Sequence, residues 1–233
     1  RDQPRSRGLG DVYKRQQEMS DSMKSDFCIT HFFNPVRFMR LLEIVETPQV
    51  NVKKIASLRN FCQNELGKGI VDCNDTPGFI GNRIGVFCIQ SLFHQVKDMG
   101  LTVEEIDKLT GPVIGRPKSA TFRTVDVVGL DTLVHVANGL HENCQNDERR
   151  DVFQLPEFIS TMIEKQWLGS KSGQGFYKKV KNEKGKSEIL TLDLNTLEYR
   201  SKKRARFDTL EKTKTIDNLI ERYPVLISGS DKA

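Results

Sequence analysis

Two ionisable side chains, His31 and Glu43, stand inside apolar runs, FCITHFF at residues 27 to 33 and LLEIVE at residues 41 to 46. An ionised carboxylate between Leu42 and Ile44 costs roughly several kcal/mol unless a cation or donors meet it. His31 is the nearest partner, because the turn signal at Asn34-Pro35 can fold the two runs against each other. Such a pair is suited to proton transfer: the carboxylate orients the ring and stabilises the charge it gains on taking a proton. The same spacing also fits a buried ion pair with no chemistry. Asn82 is the third polar residue out of place, in a helical seam that is otherwise Phe79, Val86, Ile89, Phe93 and Val96. An amide there needs a polar partner, either a ligand oxygen or neighbouring backbone.

The elements that must position these residues follow from periodicity. The runs at 27 to 33, 41 to 46 and 69 to 73 read as short strands of a covered sheet. Between the second and third, Val50 to Leu66 carries apolar residues at Val52, Ile55, Leu58, Phe61, Cys62 and Leu66, a helical period, with Gly67 at its end. At Asp75-Thr76-Pro77 the α/β alternation stops. A capping residue and a proline at the first helical position predict a helix from Pro77 to Met99, with Ile80, Ile84, Phe87 and Cys88 covering its second side so that it is buried nearly all round. Thr102 and Glu105 predict a capping box on a short helix ending near Thr110. Further helices are expected over Thr121 to Asn143 and Pro156 to Gln166, and a hairpin over 187 to 200.

Composition narrows the function class. The chain has 233 residues, a net charge of +5 and 29% charged residues, and the basic residues are spread out rather than gathered with aromatics into a nucleic-acid surface. No apolar run is long enough to span a bilayer. Five cysteines, Cys28, Cys62, Cys73, Cys88 and Cys144, lack metal or redox spacing and are expected as buried thiols in a reducing cytoplasm. His94, His135 and His141 lack ligand spacing and are expected to be structural, with no metal site. SKKRAR at 201 to 206 is expected to be a solvated linker.

Two long ordered motifs then carry a resemblance. HFFNPV at 31 to 36 with MRLLE at 39 to 43, and DTPGFIGNR at 75 to 83, resemble the active-site stretch and the domain junction of 3-hydroxyacyl-CoA dehydrogenases. Gly67-Lys68, VGLD at 128 to 131 and GQGFY at 173 to 177 extend the likeness over roughly residues 27 to 178. The resemblance implies the α/β edge of a truncated Rossmann NAD-binding domain followed by a mainly α-helical C-terminal domain. It implies NAD-dependent oxidation of 3-hydroxyacyl-CoA to 3-oxoacyl-CoA in fatty acid β-oxidation. His31 would then be the base, Glu43 its orienting partner, Asn82 the residue holding substrate near its reacting oxygen, and Asn34 a contact to the nicotinamide end of NAD. The family's serine upstream of HFFNP has no clear match among Ser20, Ser22 and Ser25.

GRPKSATF at 115 to 122, with the hairpin and basic segment beyond it, resembles the long fused bacterial type joined to an enoyl-CoA hydratase domain, or else a homo-oligomer is expected. Arg116, Lys118 and Arg123 could meet CoA phosphates, but a solvated surface is the reading preferred for them. SRGLGDVYKRQ at 6 to 16 reads as the translation of a sequencing adapter. The expected organisation is therefore 1 to 16 foreign to the fold, 17 to 76 the last part of an NAD-binding domain, and 77 to 178 the helical domain. Residues 179 to 200 follow as a hairpin, and 201 to 233 as a linker and the start of a further helical domain. On this reading the Gly-rich nucleotide loop lies outside the sequence, and the piece alone is not expected to turn over substrate. Two alternatives stand beside it: a non-catalytic helical module for dimerisation or complex formation, and a short-chain 3-hydroxybutyryl-CoA dehydrogenase.

Overall fold

The computed structural model describes residues 19–182 and 185–232, and the segment at 6 to 16 lies outside them. The described residues divide into two compact units, one of 19–86 with 139–150, the other of 87–138 with the described residues from 151 to 232. The three divisions fall inside the helices Gly81–Gln95 and Leu130–Asn143 and the short helical turn Arg150–Phe153.

The first unit is built on a three-stranded sheet in the order β1 (Cys28–Phe32), β2 (Leu41–Glu46), β3 (Gly69–Asp72). β1 and β2 are antiparallel, with His31 directly opposite Glu43. β2 and β3 are parallel, joined by the helix Val52–Asn64. Since side chains alternate along a strand, Leu42 and Ile44 share one face with Phe32, and His31 and Glu43 share the other. The first face is the core: Leu42, Ile44, Ile55 and Cys62 are buried, with Cys28, Phe32, Leu58 and Ile70 packed against them. The helix starts where Asn51 accepts hydrogen bonds from Lys53 and Lys54 N–H. It is shorter than its apolar period suggests, and Val52, Phe61 and Leu66 are exposed, because only the Ile55–Cys62 side faces the sheet.

The expected start of the next helix at Pro77 is corrected. Residues 77–80 form turns, Phe79 has a left-handed φ of 45°, and the helix runs Gly81–Gln95. Its burial is also one-sided rather than complete: Val86, Phe93 and Val96 are buried, whereas Ile80, Ile84 and Cys88 are exposed. Cys88 thereby departs from the expectation of buried thiols, and all five cysteines are free.

In the second unit the capping box forms as expected on the helix Val103–Leu109. The single helix expected over 121 to 143 is two, Phe122–Val128 and Leu130–Asn143, broken where Gly129 takes a φ of 101° that other residues rarely adopt. The helix Glu157–Glu164 and an aromatic cluster complete the centre. Phe93 lies 5.6 Å from Phe122, 5.8 Å from Phe158 and 5.6 Å from Phe176 between ring centroids. The expected hairpin is a three-stranded antiparallel sheet, because β4 (Tyr177–Lys181) pairs with β5 (Ser187–Leu192), which pairs with β6 (Tyr199–Ser201). The helices Asp208–Lys212 and Leu219–Ile227 belong to this same unit. Arg222 donates to the carbonyls of Pro112 and Val113, and the Tyr223 hydroxyl to that of Ile114.

Candidate active site

The antiparallel register brings His31 and Glu43 together: Nδ1 of the ring lies 2.6 Å from Oε2 of the carboxylate. Glu43 is 1% exposed, so its charge has been taken out of water and must be met from within the protein. Oε1 supplies the second half of the answer. It accepts the backbone N–H groups of Ile80 at 3.0 Å and Gly81 at 2.7 Å, the amides that open the helix Gly81–Gln95. The carboxylate of one strand therefore caps a helix 37 residues further along the chain, where unpaired amides and the helix dipole both favour negative charge. This is also the physical reason that the helix begins at Gly81 rather than Pro77.

The cap allows little room. A Cβ at Gly81 would lie 2.5 Å from Phe33 Cζ and 3.4 Å from Glu43 Oε1, so the glycine is what lets strand and helix approach. His31 differs from its partner in keeping access to solvent, with 32% of its side chain exposed. Its ring is flanked by Phe33 and Phe79, with centroids 4.7 and 5.8 Å away. With Nδ1 committed to Glu43, Nε2 is the ring nitrogen left for a ligand. Cys73 stands close by, but burial first and the Glu43 charge second push its thiol up, so it stays protonated beside the carboxylate.

Asn34 lies two residues beyond β1 in the connection to β2, exposed, at a cis Asn34-Pro35 bond. Asn82 follows Gly81 in the first turn of the capped helix and is half-buried. His94 turns Nε2 toward the carbonyls of Val152 and Gln154 at 3.1 and 3.0 Å. Arg116 donates to the Thr121 hydroxyl. Sequence reasoning gave no role to Phe33, Phe79 or Cys73, since an aromatic or a thiol in an apolar run carries no signal that distinguishes a site wall from core. It treated Lys68 only as part of a motif, although a lysine beside β3 that is 9% exposed is a marked departure for its type.

Comparison with known proteins gives the family of the chain. A family model described as 3-hydroxyacyl-CoA dehydrogenase, NAD binding domain, matches residues 13–76, and one described as 3-hydroxyacyl-CoA dehydrogenase, C-terminal domain, matches residues 78–179. A probable 3-hydroxyacyl-CoA dehydrogenase of Bacillus subtilis is 43% identical over 95% of this chain and 27% of its own length. A putative fatty acid oxidation complex trifunctional enzyme of Rickettsia felis is 35% identical over 80% of this chain and 26% of its own. The crystal structure of an (S)-3-hydroxybutyryl-CoA dehydrogenase from Ralstonia eutropha superposes with a TM-score of 0.56 at 28% identity, covering 65% of this chain and 51% of that one. The chain thus spans about a quarter of the length of these two curated relatives. The α/β part is the edge of a Rossmann-like NAD-binding domain and residues 78–179 match the helical domain that follows it, and the chain belongs to the 3-hydroxyacyl-CoA dehydrogenase family.

Proposed function

We propose that a protein carrying this chain oxidises 3-hydroxyacyl-CoA to 3-oxoacyl-CoA, with His31 as the base and Glu43 as the residue that orients it. The observation that carries this reading is the asymmetry of the pair: a buried carboxylate with every contact inside the protein, holding a ring that is one-third exposed. Nε2 of His31 takes the proton of the 3-hydroxyl. Glu43 fixes the ring and stabilises the positive charge the ring acquires, and Asn82, on the first turn beyond the cap, holds the substrate near its reacting oxygen. Phe33 and Phe79 limit water at the ring.

NAD, when bound, supplies the acceptor for the hydride that leaves C3. Asn34, exposed two residues beyond β1, would contact its nicotinamide end. The two long helix starts of the first unit do not fit its pyrophosphate. The amides opening the helix Gly81–Gln95 are taken by Glu43, and those opening Val52–Asn64 by Asn51, so neither helix start can receive a phosphate. We assign residues 17 to 76 to the end of the nucleotide-binding domain and 77 to 178 to the helical domain. A hydratase domain on the same polypeptide, or self-association, is proposed as the partner. The name of the Rickettsia relative favours the first.

No helix among the described residues is long and apolar enough to cross a membrane, and a cytoplasmic setting is proposed. The Ralstonia neighbour favours a short acyl chain as a second reading of substrate size. The test is NADH formation with short- and long-chain 3-hydroxyacyl-CoA, analysed for the 3-oxoacyl product. Formation of both supports the reading. No NADH from any chain length, in a protein that binds NAD, overturns it.

A further inference from the structure

Lys68 is the one buried cation among the described residues, 9% exposed. It follows Gly67 and stands immediately before β3. Its ammonium donates to the carbonyls of Val36 and of Met39, the latter at 2.7 Å, and lies 5.8 Å from the centroid of the Phe32 ring. Both carbonyls belong to the connection between β1 and β2, which begins just after His31 and contains Asn34. That connection has little else to hold it. Val36, Phe38 and Met39 are 43, 75 and 41% exposed, so no side chain of the three roots it in a core. Its own backbone bonds are the turn from Pro35 to Phe38 and Met39, and its far end is tied where Gly69 N–H donates to Arg40. An ammonium held by two carbonyls away from water forms charge-assisted bonds that are stronger and more directional than neutral ones.

We propose that Lys68 is a positioning residue for the reaction. It clamps the loop of Asn34 between the strand of the base and the strand of its carboxylate partner, and so fixes the nicotinamide end of the cofactor relative to Nε2 of His31. This inference rests on the roles given to His31 and Asn34 above. A misplacement of the reacting groups by a fraction of an ångström lowers turnover more than it lowers substrate affinity.

The test compares Lys68→Met and Lys68→Arg with the unsubstituted protein, each in the full-length polypeptide that carries this chain, by amide hydrogen exchange and steady-state kinetics. Lys68→Gln replaces the methionine variant if that one does not fold. Lys68→Met is expected to speed exchange of the amides at 36–40 about tenfold while β2 and the helix Val52–Asn64 keep their protection. It should lower kcat about tenfold with KM for the acyl-CoA nearly unchanged. Lys68→Arg, which keeps the charge and donors, is expected to recover most of both. Exchange unchanged at 36–40, or accelerated throughout the unit, overturns the proposal. So does a loosened loop with normal kcat. No turnover in the unsubstituted protein overturns the functional reading and the positioning role with it, whereas normal turnover in Lys68→Met overturns only the latter.

Discussion

Both units bury carboxylates, but they employ them differently. In the second unit, Asp107 spends both oxygens inside the fold: Oδ1 accepts Thr121 and Phe122 N–H, and Oδ2 accepts Arg123 N–H and the Tyr177 hydroxyl. Asp126 takes the amides of Phe176 and Tyr177, and Glu104 takes both arms of Arg200 and the amide of Lys203. Every partner is a backbone amide, the buried Tyr177 hydroxyl or the Arg200 side chain, and each is used up in the contact. Glu43 in the first unit also caps backbone amides with one oxygen, but its other oxygen goes to an imidazole that is one-third exposed to solvent. Burial of a carboxylate therefore does not by itself mark a functional site. The mark is a partner that keeps one reactive atom unspent.

Substitutions on the two sides of this comparison should separate cleanly. In the full-length protein His31→Ala is expected to lower kcat by roughly 10²- to 10⁴-fold, the usual worth of a positioned base, and to lower Tm as well, because Oε2 of the buried Glu43 loses its partner. A variant within a few-fold of normal turnover would remove the distinction altogether. Glu104→Gln should leave turnover intact and lower stability by about 3 kcal/mol, because it removes the buried charge that Arg200 and the Lys203 amide meet. Burial pushes the Glu104 carboxyl up, but the bonds from Arg200 and the Lys203 amide outweigh it and bring it down to about 2. A group depressed in the folded state contributes stability above its unfolded value, here 4.5, and loses it as pH falls toward about 2. The gap in stability between the protein and Glu104→Gln should accordingly close across that window. A gap that persists at its lower end would show that the ion pair is not its source.

The smallest effect is expected from Tyr177→Phe. The hydroxyl is pushed up by burial first and by Asp107 second, so it stays a donor, and Asp107 keeps three amides without it. About 1 kcal/mol of stability should be lost, with kcat unchanged. A large loss of turnover would mean that the carboxylate network of the second unit is part of the catalytic machinery, and the contrast drawn above would fail.

The same contrast explains what could be read from the sequence. Glu43 and His31 announce themselves because each breaks an apolar run, and a two-residue period with a turn at Asn34-Pro35 suffices to pair them. Thr102 and Glu105 form their capping box because that motif is complete within four residues. The cap of Glu43 on Ile80 and Gly81 joins residues far apart in sequence, and no local pattern records it. Missing it misplaces the helix start at Pro77, where the proline has the right local signature. The exposed face at Ile80, Ile84 and Cys88 escapes the sequence for a related reason: apolar residues all round a helix state that it can be buried, not what is there to bury it. The break at Gly129 was visible as a glycine in a helical stretch, but its φ of 101° is set by packing rather than by propensity.

The central claim, that His31 and Glu43 act as one unit, is tested most directly by a double-mutant cycle on kcat. If Glu43 works only through the ring, Glu43→Gln should cost turnover when His31 is present and almost nothing when it is absent, so that the double variant is within about threefold of His31→Ala alone. Costs that multiply independently in the double variant would contradict the account.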